Sequence, residues 1–474
     1  MPYANIFTLV ITAILAFVLT ACDSSEQANT VSYSPIGPVP RVPQRPGDPV
    51  KGYEALLNAP YITCGIPYSA YKQTAPPPEP ETLIPGRPGR NAELPYNLTA
   101  YTTPKGVELV VNNCLSCHAG FFDGKLVIGL GNENLDFTED RTAVAESIGA
   151  YVENEAEAAE WRRWADRLRT ITPYMKADTI GVNPAINITF ALIAHRDPET
   201  LAWSPEPLIE PPPKTVAPVS VPPWWRVAKK NALFYNTEGR GDLARGMMAA
   251  ALFCADDVDT VRKIDTYAPD ILAYLASIKP PAWPFGVDHE LAEQGRTVFE
   301  RTCSGCHGTY GEQPSYPNLV VGLDEIGTDP VVAQYRTNGA SDQFTQWFER
   351  SYYGELAVDA PAPGYIAPPL DGIWITAPYL HNGSVPTIEA LLDSSKRPKY
   401  WTRSYGSSAA DYDPVALGWR YTELAEGKGG AKDARERKKI YDTTLPGHSN
   451  AGHVFGDSLS PDERKAVLEY LKTL

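Results

Sequence analysis

Cysteine and histidine are scarce here, seven of each in 474 residues, and methionine is scarcer still at four. Seven cysteines are too few for a disulfide-dense scaffold in which cross-links stand in for a core. The longest apolar stretch, residues 6–21, falls short of the about 20 residues that a membrane-spanning helix needs. Basic residues are in deficit: 42 Lys and Arg face 57 Asp and Glu, and the net charge of −15 repels phosphate backbones and anionic membrane surfaces. Nucleic acid is therefore not an expected partner. A small cationic redox protein or a neutral substrate suits this field, as does an acidity that serves solubility alone. No Gly-X-Y period runs through the 36 glycines, which excludes a collagen.

Proline is what the chain has in excess. Its 45 prolines exceed the usual share of roughly 5% and predict long, stiffened connections between packed parts. With 10 Trp, 26 Tyr and 13 Phe, enough ring area is available for burial to offset chain entropy, so the chain does not read as disordered. At about 150 residues per domain the length predicts two or three domains.

The apolar residues 6–21 end in Leu19-Thr20-Ala21, followed by Cys22 and Asp23-Ser24-Ser25-Glu26. This resembles a bacterial lipoprotein signal, in which cleavage exposes the Cys22 amine and thiol for acylation and several acyl chains anchor stably where one does not. The residues before the run carry no Lys or Arg, a departure from that pattern, and the alternatives are an uncleaved anchor or a buried helix. The expectation is a periplasmic protein held to a membrane through Cys22. In an oxidising compartment the other six cysteines divide into Cys114 with Cys117, Cys303 with Cys306, and Cys64 with Cys254. The last two either form a disulfide closing a very long loop or remain buried thiols.

Organisation along the chain follows from capping and periodicity. Residues 1–22 are the signal, and 23–97, with Ala75-Pro76-Pro77-Pro78-Glu79-Pro80, read as a proline-rich tether and N-terminal extension. Thr103-Pro104 with Val107, Val110, Val111 and Cys114 predicts a helix running into the first cysteine pair. Residues 142–169 read as one long charged helix whose acidic part, 153–160, is an exposed face, and 270–278 as another helix. Asp288 predicts an N-cap for a helix with Leu291, Val298 and Phe299 on one face, and Ser460-Pro461-Asp462-Glu463 opens the last helix. The order cysteine pair, long interval, closing helix with a tyrosine (Tyr274, Tyr470) occurs twice, an internal duplication. It divides the chain into domains 98–283 and 284–474, with 206–223 as a long external loop and 280–284 as the hinge. The fold class expected is mainly α, two haem domains joined by irregular proline-rich loops.

The chemistry lies in Cys114-Leu115-Ser116-Cys117-His118 and Cys303-Ser304-Gly305-Cys306-His307. One helical turn presents two thiols that add to haem vinyl groups and an imidazole that takes the iron from the same side. At this composition about 0.0015 such motifs arise by chance, so two are not accidental. The competing reading, half a zinc site, does not account for the histidine in both copies. The expected cofactors are two covalently bound haem c groups with His118 and His307 as iron ligands. Five histidines remain for the opposite faces, at 195, 289, 381, 448 and 453. His453, in Asn450-Ala451-Gly452-His453-Val454-Phe455-Gly456, is the expected distal ligand of the second haem, because its flanking glycines let backbone approach a flat ring. His448 is the runner-up.

Thr376-Ala377-Pro378-Tyr379-Leu380-His381-Asn382-Gly383-Ser384, with two Cys-X-X-Cys-His motifs at this separation, resembles the bacterial di-haem cytochrome c peroxidase superfamily. That superfamily includes the di-haem enzyme that matures methylamine dehydrogenase and the di-haem rubber oxygenases. The resemblance covers about residues 98–474. Pro222-Pro223-Trp224-Trp225, Gly239-Arg240-Gly241-Asp242-Leu243-Ala244-Arg245 and residues 450–456 are most similar to the rubber-oxygenase-like branch. It implies two cytochrome-c-like domains, an N-terminal haem that reacts with substrate and a C-terminal haem that transfers electrons. It further implies a calcium ion on the backbone oxygens of Thr376 and Pro378, with Asn132 or Asn134 as a further oxygen ligand, and His381 beside the second haem. No counterpart of the Phe-Trp-Asp-Gly-Arg stretch of ordinary peroxidases is present, so no residue here takes the place of their distal glutamate. Residues 222–248 are the candidate wall of the first haem's open face. There Trp224 or Trp225 relays an electron or simply packs, and Arg240 and Arg245 polarise a bound oxygen, pair with propionates or sit in solvent.

The leading expectation is an exported di-haem oxidoreductase that reduces hydrogen peroxide at the N-terminal haem, fed through the C-terminal haem by a cytochrome c or a cupredoxin. An oxygenase that cleaves an olefinic substrate with dioxygen, and a non-enzymatic di-haem electron carrier, are the alternatives.

Overall fold

A computed structural model describes residues 35–474 apart from 338, 340 and 341, and these residues fall in one compact unit. The signal segment and Cys22 lie outside the described residues. Helices hold 41% of the chain and strands 13%. Helix predominates over strand, but irregular chain predominates over helix, which is less α than the mainly α expectation. Among the described residues no helix is long and apolar enough to cross a membrane.

Two crossed helix pairs organise the unit. His289–Thr302 packs on Pro461–Leu471, and Pro49–Asn58 packs on Ala268–Ser277. The crossings are alike in detail. A β-carbon at Gly295 would lie 1.9 Å from the Ala466 carbonyl oxygen and 3.0 Å from Tyr470 Cβ; one at Gly52 would lie 1.9 Å from Asp270 O and 2.9 Å from Tyr274 Cβ. Glycine is required at both because the helix backbones touch. Each opening helix is capped by an aspartate: Asp288 accepts from the Leu291 amide, and Asp48 from those of Val50 and Lys51. The final helix has the full capping box of Ser460 and Glu463.

The first half's opening helix is therefore Pro49–Asn58, inside the segment read as a tether. That reading is corrected: residues 35–97 are folded against both halves. Strand Pro35–Pro38 pairs antiparallel with Leu319–Gly322, which also pairs with Gly364–Ile366. Leu56 and Leu57 are buried, and Arg45 pairs with Asp242 and Asp265. Cys64 and Cys254 are disulfide-bonded, with Cα atoms 5.4 Å apart.

Three further expectations change. The helix drawn through Val107, Val110 and Val111 is a hairpin, Leu98–Thr102 against Glu108–Asn112 in register Leu98↔Asn112. Thr103 and Gly106, the latter at φ +82°, form its turn. Residues 142–169 are two helices, Thr142–Gly149 and Glu155–Ile171, folded on each other. Trp161 lies where a Gly149 side chain would be, and Asn154 caps the second helix through the Glu157 amide. The external loop 206–223 is tied inward at its end: buried Asn187 donates to the Pro213 and Thr215 carbonyls and accepts from the Ala217 amide. Ser220 and Val221 are buried beyond it.

Candidate haem sites

In the second half Cys303 ends its helix and Ser304–His307 adds one further turn, in which the His307 amide donates to Cys303 O at 3.0 Å. Four residues of turn bring two sulfurs and an imidazole to one side. His307 Nδ1 lies 2.8 Å from the Pro368 carbonyl, which makes it the protonated nitrogen and leaves the Nε2 lone pair for a metal. The ring of His453 stands opposite, its centroid 6.1 Å from that of His307. A metal–imidazole bond is about 2 Å, so nitrogens on opposite sides of one iron are about 4 Å apart and their ring centroids about 6 Å. The spacing fits a single iron between the rings.

The backbone holds His453 there. Gly452, at φ +74°, passes so close to Gly327 that a β-carbon would lie 2.1 Å from Gly327 C, and the His453 amide donates to Ile326 O at 2.7 Å. Arg397 donates to the carbonyls of Asn450, Gly452 and His453. Burial, and then the nearby His307, push His453 down to about 3, so it is neutral and its lone pair is free at neutral pH. His307 is pushed down as well, chiefly by burial.

Beside these rings opens a cavity lined by Cys303, Cys306, His307, His453, His381 and Arg226 among mostly apolar neighbours. His381 lines the same cavity. It is buried, its ring stacks on Tyr365 at 4.1 Å, and burial pushes it down to about 3. His448 is elsewhere: its Nδ1 sits 3.0 Å from Pro446 O, beside the Tyr441 ring and outside the cavity lining.

The first site has the same local architecture. Cys114 starts the turn Leu115–His118; Asn113 accepts from the Leu115 amide at 2.9 Å, and the Asn132 amide and side chain close on Cys117 O and Ser116 O. Unlike His307, buried His118 has no hydrogen-bond partner on Nδ1 among the described residues. Burial pushes His118 down to about 4. Its ring stacks on Trp224, 4.6 Å between centroids. The difference lies across from it. His195 is occupied by Ser204 O and Trp203, His289 begins a surface helix, and among the described residues no histidine ring is in contact with that of His118 as His453 is with His307.

One turn, Trp224–Arg226, joins the two sites. Trp224 lies on His118, the Trp225 indole N–H donates to Asp371 O at 2.8 Å, and Arg226 enters the second cavity. Trp225 packs in the second half's core, so Trp224 is the tryptophan that touches a histidine. Sequence reasoning missed Arg226 and Lys230, whose ammonium is pushed down to about 7 by burial and by Arg226. Two cations four apart inside an aromatic, proline-bounded segment were the available signal.

Arg240 and Arg245, expected at the first site, have protein partners: Arg245 is paired with Asp265 and Glu355 and lies on the Tyr352 ring, and Arg240 donates to Thr237. Near the backbone oxygens expected to hold calcium, Arg226 Nη2 approaches Thr376 Oγ1 at 3.4 Å, and the side-chain oxygens of Asn132 and Asn134 accept from an amide and from Arg403.

The remaining thiols are unpaired, and burial pushes Cys117 and Cys306 up to about 11 and Cys114 and Cys303 up to about 12. They are not poised as thiolates for exchange. Among the described residues no group of three or more His, Cys, Asp or Glu is placed to hold a metal ion. Cysteines one turn apart from each histidine and, at the second site, His307 Nδ1 on the Pro368 carbonyl with a mostly apolar cavity beside two opposed imidazoles fit a haem attached through its vinyl groups.

Residues 364–402, which include His381, match the family described as RoxA-like, cytochrome c-like. Two curated relatives come from Sinorhizobium fredii (strain NBRC 101917 / NGR234). The uncharacterized protein y4iJ is 33% identical over 287 residues, 46% of each chain. The uncharacterized protein y4iM is 31% identical over 249 residues, 44% of this chain and 55% of the relative. The chain spans about half the length of the curated relatives it matches.

Proposed function

We propose that this protein is an exported di-haem c-type oxidoreductase whose C-terminal haem passes electrons and whose N-terminal haem receives a small oxygen species. The observation that carries the reading is the asymmetry between the sites: His453 faces His307, while no described histidine faces His118. Bound haem supplies one-electron transfer where both axial positions are held and small-molecule chemistry where one is free. The chain's own residues do the rest. His307 and His453 hold the second site from both sides, with Pro368 and Arg397 fixing their orientation. His118 holds the first from one side, and Trp224 stacks on its ring. Cys22 supplies the membrane anchor, and the acidic surface favours a cationic donor such as a cytochrome c or a cupredoxin.

Hydrogen peroxide is one substrate for this arrangement. The second reading is dioxygen with an olefinic co-substrate, and the match of residues 364–402 to the RoxA-like family favours it. Optical and paramagnetic resonance spectra of the holoprotein test the common premise. One low-spin site and one site that binds cyanide or peroxide are expected. Two low-spin sites that stay inaccessible after half-reduction would leave an electron carrier. Peroxide turnover with a reduced donor then separates the first substrate from the second, for which oxygen consumption with cleavage of a polyisoprene oligomer is the mark.

A further inference from the structure

Most arginines withdrawn from solvent in this protein are matched in one of two ways, the exceptions being Arg226 and Arg403, which has the Glu133 carbonyl and Asn134 Oδ1. Arg336 has Glu238 and Asp359, and Arg245 has Asp265 and Glu355. Arg87 has no carboxylate but donates to four main-chain carbonyls, and Arg397 to five. Arg226 has neither. It is 5% exposed, yet it makes one bond to a carbonyl, Nε to Asp371 O at 3.1 Å, and a long one to Thr376 Oγ1. Among the described residues Nη1 makes no hydrogen bond and no carboxylate lies within ion-pair distance. The Asp371 carboxylate is taken by Lys229, at 2.7 and 2.8 Å. A guanidinium cannot shed its charge, and a buried unpaired charge requires a partner. This one faces the cavity of His307 and His453.

We propose that Arg226 binds a carboxylate of the cofactor in that cavity, a haem propionate, and thereby raises the reduction potential of the second site. The proposal rests on the di-haem reading and adds to it a residue that sets potential without ligating iron. A positive charge beside the cofactor disfavours the oxidised form, which carries one more positive charge, so loss of Arg226 makes the site harder to reduce. Lys229 is the internal control: it lies in the same segment, but its partner is Asp371.

The test is spectroelectrochemistry of the holoprotein, following the low-spin site, for wild type, Arg226→Gln, Arg226→Lys and Lys229→Gln. Mass spectrometry first establishes two haem masses; their absence from wild type would end the di-haem reading itself, a separate failure. Arg226→Gln is expected to shift the reduction equilibrium at least tenfold towards the oxidised form, about 59 mV for one electron. Arg226→Lys should recover most of that shift, and Lys229→Gln should leave it near wild type. An unchanged potential in Arg226→Gln, or an equal shift in Lys229→Gln, overturns the proposal. So does a wild-type potential that follows chloride concentration, which would place a free anion on Arg226. If Arg226→Gln does not fold, infrared difference spectra of wild type and Arg226→Lys with haem ¹³C-labelled at its carboxylates decide: a labelled band that moves supports the contact, and one that stays overturns it.

Discussion

At Gly452 the chain runs against Gly327 with no room for a side chain, and the next residue, His453, takes φ +47° to turn its ring towards His307. A methyl group at 452 would meet backbone 2.1 Å away, so Gly452→Ala is expected to push the His453 loop off its seat and open the second site to cyanide, while both haem masses remain on the polypeptide. His453→Ala should give the same spectroscopic outcome without a backbone defect. Binding of cyanide to both sites in either variant checks this, and retention of a low-spin, closed second site in His453→Ala would refute the ligand assignment. The motif residues at this scale were legible in the sequence because covalent attachment demands a fixed spacing. Arg226 was not, since a basic residue is informative only once its burial and its missing partner are known.

The helix pairs are the unit of repetition, and their glycines are where they touch. Gly52→Ala and Gly295→Ala each place a methyl group 1.9 Å from a facing carbonyl oxygen, and each is expected to cost about 1–3 kcal/mol by forcing the pair apart. Thermal melts check the magnitude, and the damage should be confined to the half that carries the substitution, read as loss of that half's haem band. The closing helices and their tyrosines were readable from caps and apolar spacing. The first opening helix was not, because a disulfide-bonded, proline-rich insertion separates it from its cysteine pair. The misread hairpin has an equally definite cause. Leu109, Val110 and Val111 are all buried, so the strand shows no alternation, and its valines satisfy a helical period equally well.

Across the whole molecule the N-terminal segment acts as a clasp. The disulfide closes an interval of 190 residues, and Arg45 spans Asp242 and Asp265. Reduction, or Cys64→Ser with Cys254→Ser, is expected to cost about 2–5 kcal/mol, checked by denaturant midpoints with and without reductant. Nearby, burial alone would raise the Asp256 carboxyl, but Arg167, Arg163 and Arg196 hold it below its ordinary value of 3.8. A carboxyl lowered in the folded state adds stability that is present above the unfolded value and is lost as pH falls through the folded one. Stability should therefore decline below about pH 4. Melts between pH 4 and pH 2 check this, and an Asp256→Asn variant should show a shallower acid decline from a lower starting stability.

What the sequence determined by itself was local chemistry: two attachment turns, their histidines, the cysteine bookkeeping and the duplicated order, all set by spacing along a few residues. Tertiary structure alone decided which far-apart groups meet. It set His453 opposite His307 at a sequence separation of 146, left His118 without a histidine ring against it among the described residues, and turned Arg226 inward while giving Arg240 and Arg245 other partners. Spacing constrains residues joined by a turn or two of backbone. Beyond that range, contact depends on how whole elements pack, and one glycine without a side chain is enough to decide it.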